Sequence, residues 1–351
     1  MEIKNIKMYH KTEADIIQSW ISKDSPPLVS ICCPVYNHET YIQSAIDSFL
    51  SQITTFSFEI LIHDDASTDT SPQIIQKYQQ KYPNLIKPIF QNENQYSQGK
   101  KITPILAKVA KGEYIAICEG DDYWIDPKKI QKQIDALMKN PDCDLAFHPC
   151  HTFLDSDPKI NTVHNNYYTS IKVIDVEDVI LGGGGFCPSA ALLIKKSIFD
   201  QLPDWFNSTH AGDYYLQVFG ALNGGALFLP DIMSAYRHSR PDSLTTTIRT
   251  YDSKKILSLL SKELNGLDHL INDLPSKYDT LIYVRKAEVL KEFANKLLKT
   301  KNFHEFKLLI EKSREVYKNS SKSQQLLYYM RHFPYLLYII QKIKFYFKPL
   351  C

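Results

Sequence analysis

Between residues 28 and 140 the chain alternates between two spacings of apolar residues. Near-continuous apolar runs of strand length occur as LVSICCPVYN (28–37), FEILIHDDAS (58–67), IKPIFQN (86–92) and EYIAICEG (113–120). Between them apolar residues recur every three or four positions, the spacing of a helix with one buried face. Tyr41, Ile42, Ala45, Ile46, Phe49 and Leu50 share one such face. The stretch at 70–82 predicts a second helix, with Ser71 as N-cap and Pro72 in its first turn. Residues 101–111 predict a third, with Pro104 near its start, and 127–140 a fourth, with Ile130, Ile134, Leu137 and Met138 on one side. Strands that are apolar on both faces and alternate with helices predict a parallel sheet covered on both sides.

Beyond residue 141 the pattern is mixed. PSAALLIKKS (188–197) and GGALFLP (224–230) read as strands, with a helix at 212–222 between them. After about Thr250 the chain reads as helical and richer in Lys, most clearly at 277–299 and 302–318. The expected organisation is an N-terminal extension (1–27, closing on SPP), an α/β domain (28–249, in halves 28–140 and 141–249) and a helical C-terminal region (250–351). The fold class is α/β, a mixed, mainly parallel sheet flanked by helices, with an α-helical extension.

Composition narrows the function. With 351 residues, 44% hydrophobic, the chain can build one large core and an appendage. A formal net charge of +2 gives no global attraction to nucleic acid, and none is expected as a partner. Seven Cys without a CxxC pair point to a reduced, intracellular protein, with Cys32 and Cys33 serving as small strand hydrophobes. Cys143, His148, Cys150 and His151 fit no zinc-ligand spacing and read as strand-edge residues. The first twenty residues contain no continuous apolar leader, and no run approaches the roughly 20 apolar residues of a membrane span. The expected location is cytoplasmic or peripheral on the inner face of the plasma membrane. Residues 324–351 carry no acid but place Arg331, Lys342, Lys344 and Lys348 among aromatics. Such a segment can lie on an anionic membrane, pack on the α/β domain or form a dimer interface.

The chemistry gathers at strand ends. In sheets of this kind ligands bind beyond the carboxyl ends of the strands. There the chain carries VYNHE, HDDASTD and EGDDYW. Glu119, Asp121 and Asp122 crowd one turn, where Mg²⁺ or Mn²⁺, hard cations that take oxygen ligands, would offset their repulsion. Asp64 and Asp65 can accept hydrogen bonds from a base and a ribose. Either pair alone reads as a solvated acidic turn; two pairs at the ends of two apolar strands predict a site.

These same segments, VSICCPVYNHETYIQSAIDSFLSQ, FEILIHDDASTDTS and GEYIAICEGDDYWIDPKKIQKQIDAL, resemble the nucleotide-sugar-binding half of family 2 glycosyltransferases, and the resemblance extends over about residues 27–249. It implies the GT-A fold, a Rossmann-like domain, and inverting transfer of a hexose or N-acetylhexosamine from a UDP-sugar. The acceptor would be a hydroxyl of a glycan or lipid-linked molecule, in bacterial surface polysaccharide synthesis. By position the resemblance assigns Pro34, Val35 and Tyr36 to uracil and ribose, Asp65 to the base, Asp121 to the ribose and Asp122 to the metal. Asp213, in HAGDYYLQ, takes the place of the catalytic base, and Arg237 and His238, in YRHSRPDSLT, that of the late loop near the diphosphate. The chain departs from the pattern in carrying Glu119 and Gly120 before the acid pair, and in setting Arg237 and His238 side by side. The four glycines 182–185 are not a dinucleotide fingerprint and are expected to form a mobile loop beside the acceptor, or a hinge. Lys100 and Lys101 read as surface lysines or phosphate contacts. A nucleotidyltransferase would show a Gly-rich basic loop after the first strand, which PVYNHETYI lacks; a non-catalytic binding protein would not need Asp213.

Overall fold

The computed structural model describes residues 11–22, 25–154, 157–238, 244–248 and 250–346, side chains excepted at 157–161, 244–245 and 344–346. Up to His238, helix α1 (Glu13–Gln18) leads into β1 (Val29–Val35), α2 (Ile42–Leu50), β2 (Phe58–Asp64), α3 (Ser71–Lys81), β3 (Ile86–Phe90), α4 (Ile102–Val109), β4 (Tyr114–Ile117), β5 (Tyr123–Trp124), α5 (Lys129–Met138) and β6 (Leu145–Phe147). There follow β7 (Cys150–Leu154), β8 (Asp157–His164), β9 (Lys172–Ile174), α6 (Val176–Gly182), β10 (Leu193–Lys195), α7 (Lys196–Asp200), α8 (Gly212–Ala221), β11 (Ala226–Phe228) and β12 (Ser234–His238).

An eight-stranded sheet runs in the order β3-β2-β1-β4-β10-β6-β11-β9. Its first four strands are parallel, as their apolar runs predict. Pro88, which cannot donate to a ladder, falls on β3 at the edge. In the second half β10 runs antiparallel to both β4 and β6, and β9 antiparallel to β11. A second sheet, β5-β12-β7-β8, stands apart from the first. Cys32 and Cys33 are fully buried in β1, as small hydrophobes, and the six described cysteines are free. His148 and Cys150 flank the β6–β7 junction, and the Cys143/His148 set forms no metal-ligand group among the described residues.

The first turn of α1 carries Glu13, whose carboxylate accepts from the backbone N–H of Asn84 (2.7 Å) and Leu85 (2.9 Å) and from Asn84 Nδ2 (2.9 Å). Trp20 packs edge-on against Phe58 of β2, ring centroids 5.6 Å apart.

The chain divides into two compact units, the second comprising Ile180–Gly183, Ser208–Ala211 and everything from Ser239 onward. In this second unit stand α9 (Leu244–Ile248), α10 (Ser253–Asp273), α11 (Asp279–Lys299), α12 (Phe303–Val316), α13 (Lys322–Tyr329) and α14 (Pro334–Tyr346). Their core holds Leu267, Ile282, Leu290, Phe306 and Ile310. Buried Ser313 donates to the Ala287 carbonyl (2.7 Å), and Gln324 Nε2 donates to Ser313 (3.0 Å) and Tyr317 (2.9 Å) carbonyls, tying α13 to α12. Among the described residues no helix is long and apolar enough to cross a membrane.

Candidate active site

The loops after β1 and β2 are laced together. Asn37 and Ala66 adopt left-handed backbone, φ 53° and 62°. That turn lets Asn37 donate its N–H to Ser67 Oγ (2.9 Å) while its side-chain carbonyl accepts from the Thr68 N–H (2.8 Å). Glu39 donates its N–H to Asp69 (2.8 Å) and its carboxylate accepts from the Thr70 N–H (2.9 Å). The end of β1 is thereby fixed, with Val35 buried and Tyr36 exposed at the rim.

Two acid-bearing turns hang on that strand end. The Asp65 N–H donates to the Val35 carbonyl (2.9 Å), and the Gly120 N–H to the Pro34 carbonyl (3.0 Å). Asp65 is buried, and its two carboxylate oxygens accept from the N–H groups of Gln95 (2.7 Å) and Tyr96 (3.0 Å), which anchors the loop after β3. Asp64 accepts from the Ser67 N–H (3.0 Å) through one oxygen; its other oxygen is buried without a partner, and burial raises its carboxyl above the ordinary range.

On the other side, Glu119, Asp121 and Asp122 each offer a carboxylate oxygen, and these lie within 4.8 Å of one another. Gly120 between them has no room for a side chain: a Cβ would stand 2.8 Å from His38 Nδ1 and 2.9 Å from Val35 Cγ2. Asp122 is buried. Its Oδ1 accepts from the Arg237 N–H (2.8 Å), and its Oδ2 is buried with no partner. Burial first, then the neighbouring Asp121 and Glu119, push its carboxyl well above the ordinary range. Asp121 lies 4.0 Å from His38 Nε2, and its carbonyl accepts from Arg237 Nε (3.1 Å). An all-oxygen donor set with an orphaned buried oxygen fits a hard divalent cation.

Arg237 arrives there through the second sheet. Strand β12 pairs antiparallel with β5, Ala235 opposite Tyr123, so Arg237 is carried past the acid pair that precedes β5. Its guanidinium lies over the rings of Tyr41 (4.4 Å) and Phe153 (4.9 Å). Neighbours on a strand face opposite ways. The His238 ring accordingly lies beside that of Tyr236, centroids 6.4 Å apart, away from the Arg237 face. Residues 239–243 of the late loop lie outside the described residues.

Asp213 stands in the first turn of α8, on a separate element. It is exposed, yet the protein around it raises its carboxyl, with Lys101 pulling the other way; water screens part of that shift. A Cβ on neighbouring Gly212 would touch the Lys101 side chain at 3.6 Å, so Lys101 is no remote surface lysine. Lys100 donates to the Gln95 side chain (2.6 Å).

Sequence reasoning passed over two features of this region. Lys129 is fully buried, 4.2 Å over the Trp124 ring and donating to Gln133 Oε1 (2.8 Å); burial lowers it to about 7. Its position at a helix start gave no signal of burial. His38, in the turn after β1, stands 4.0 Å from Asp121 and was given no role of its own in the sequence. The glycine run, expected as a mobile loop or a hinge, is pinned at its end, against the first of these readings. Gln217 donates to the carbonyls of Gly184 (3.0 Å) and Cys187 (3.1 Å), Asn165 donates to the Gly185 carbonyl (2.7 Å), and Tyr167 stacks on Phe186 at 4.7 Å. The signal was available in the lone buried-face Gln of an otherwise apolar helix.

A model of the family "Glycosyl transferase family 2" matches residues 30–202. An uncharacterised protein of Mycobacterium tuberculosis is 34% identical over 210 residues, covering 60% of this chain and 58% of that one. The match thus spans little more than half of that relative's length. The TarS 1-349 structure from Staphylococcus aureus, solved with UDP-GlcNAc, matches at TM-score 0.60 and 15% identity, covering 89% of this chain and 88% of that one. The mannosyltransferase PcManGT of Pyrobaculum calidifontis, solved with GDP-Man and Mn²⁺, matches at TM-score 0.51 and 15% identity, covering 92% and 87%. At these identities both structures speak for a shared fold.

Proposed function

We propose, from the premise that residues 30–202 make this chain a member of glycosyltransferase family 2, that it is a metal-dependent inverting enzyme. In this reading it moves a hexose or N-acetylhexosamine from a UDP-sugar to a hydroxyl of a glycan or lipid-linked acceptor, in bacterial surface polysaccharide synthesis. It works in the cytoplasm, peripheral to the inner face of the plasma membrane. Its fold is the GT-A arrangement. The observation that carries the reading is that consecutive carbonyls of β1, Pro34 and Val35, hold the turn of Asp121 and Asp122 on one side and Asp65 on the other.

In this reading each residue takes a role with which its position is compatible. Tyr36 offers an exposed ring at the rim for the base, beside Pro34 and Val35. Each Asp65 oxygen keeps a lone pair for a base N–H after accepting from the loop amides. Asp121 takes the ribose side. Asp122, with Glu119 and Asp121 beside it, would hold Mn²⁺ or Mg²⁺. When bound, that ion supplies positive charge against the leaving diphosphate. Arg237 adds a fixed cation next to the same acids, whereas the His238 ring lies on the other face beside Tyr236, so that the diphosphate role rests on Arg237.

In the transfer the acceptor oxygen forms a bond to the anomeric carbon as the bond from that carbon to the diphosphate oxygen breaks. The hydroxyl proton passes to Asp213. The surroundings raise this carboxyl, which makes its ionised form a stronger base than a free one. UDP release with and without acceptor, together with calorimetric UDP binding in Mn²⁺, tests the assignment. Asp213→Asn should cut turnover by at least about 100-fold while UDP affinity stays near wild type. Asp122→Ala should lose both metal-dependent binding and turnover. Wild-type turnover in either variant removes the reading.

A further inference from the structure

Helices α13 and α14 turn an apolar face to water. Tyr329 is 67% exposed, Phe333 and Tyr335 63%, Leu336 50% and Ile343 51%. Isolated exposed apolar residues are ordinary; a contiguous set along one helix is not. Tyr335, Leu336, Ile339 and Ile343 fall within one stripe at helical spacing. The inner side of α14 is already occupied, since Leu337 is buried and Gln341 Nε2 donates to Asn295 of α11 (3.1 Å). In the outward stripe Leu336 and Ile343 are half exposed, while Tyr335 also stands edge-on to Phe303 of α12, ring centroids 6.4 Å apart.

Charge around the stripe selects its occupant. Lys301 and Lys342 stand 5.5 and 5.3 Å from the Tyr338 ring. Tyr338 in turn lies 6.4 Å from both Tyr335 and Phe303. Both lysines are exposed. Arg331 is engaged elsewhere, bonded to Glu311 (2.8 Å) and stacked on Tyr328. Residues 324–351 contain no Asp or Glu. The side chains of Lys344 and Lys348 lie outside the described residues. Two copies meeting through this face would bring these cations together. An anionic bilayer surface instead takes the aromatic and aliphatic groups at the acyl boundary and the ammonium groups at the headgroups.

We infer that the α13–α14 face is a docking surface for anionic phospholipid, with α14 lying in the plane of the interface. This deepens the peripheral location proposed above and rests on it, while standing apart from the donor chemistry. The test is flotation of the full chain with phosphatidylcholine vesicles, with and without phosphatidylglycerol, at low and physiological salt. The wild type should float only with phosphatidylglycerol, and less at higher salt. Leu336→Ser with Ile343→Ser should weaken partitioning about tenfold or more. Lys301→Glu with Lys342→Glu should remove the preference for the anionic lipid. Unaltered thermal melts and UDP binding show that the variants fold and keep the donor site separate from the result. Failure to float, equal flotation on both lipids, or variants that float like wild type overturn the inference. So does a concentration-dependent dimer in sedimentation that the Leu336→Ser, Ile343→Ser variant loses, which assigns the face to a second copy.

Discussion

Gly120 occupies the tightest point of the acid turn. A methyl group there would press on His38, Val35 and the Ile42 Cδ1 at 3.0 Å, which lie on β1, the turn after it and the start of α2. Overpacking of this kind typically costs about 1–3 kcal/mol, because neither a strand end nor a packed helix start yields easily. Gly120→Ala should lower the melting temperature by several degrees and weaken Mn²⁺-dependent UDP binding more than metal-free UDP binding, measured calorimetrically. Equal losses with and without metal would mean the turn does not set the acids. The sequence displayed Glu119 and Gly120 only as a departure from a familiar pattern. The reason for the glycine, a packed neighbour more than eighty positions earlier, has no local signature.

At the scale of elements, what could be read was what periodicity encodes. The four parallel strands were plain because helices cover both of their faces and leave no polar alternation to confuse the pattern. The smaller sheet was not, since β5 has two residues and carries no period at all. Its consequence for the site is large, because the β5–β12 pairing is what delivers Arg237 to the acids. The same holds for the loop after β3. The acids of HDDASTD announced a site, but nothing in them said that Asp65 would be gripped by two amides thirty positions on. Asp65→Asn replaces one of those acceptors with a donor facing an N–H. Faster amide exchange at Gln95 and Tyr96 is expected, with weaker nucleotide binding and little change in global stability. Unchanged exchange at both amides would show the loop to be held by other means.

For the whole molecule, the most consequential buried charge lies behind the site rather than in it. Lys129 has its ammonium held over Trp124 in the core, and burial takes it from 10.5 to about 7. Between those two values the unfolded chain binds a proton that the folded chain does not, so stability rises as pH climbs from about 7 toward 10. Below about 7 the cost is fully present, on the order of a few kcal/mol. Lys129→Met keeps much of the volume and removes the titration. Its melting temperature should exceed that of the wild type at pH 6.5, and the gap should narrow steadily by pH 9. A constant gap would mean that the lysine stays charged when folded. Composition could never have marked this residue, because a net charge of +2 sums cations without regard to where they lie.

The two anchors suspended from neighbouring carbonyls of β1 work as the jaws of a caliper. Those carbonyls point to opposite sides of β1, toward the ends of β2 and β4, so the jaws stand about two inter-strand spacings apart, each about 4.8 Å and held by ladder hydrogen bonds. Repacking of surrounding helices by mutation can tilt the instrument but does little to recalibrate it, so the spacing between Asp65 and the Asp121–Asp122 turn is inherited by any variant that keeps Pro34 and Val35 in strand geometry.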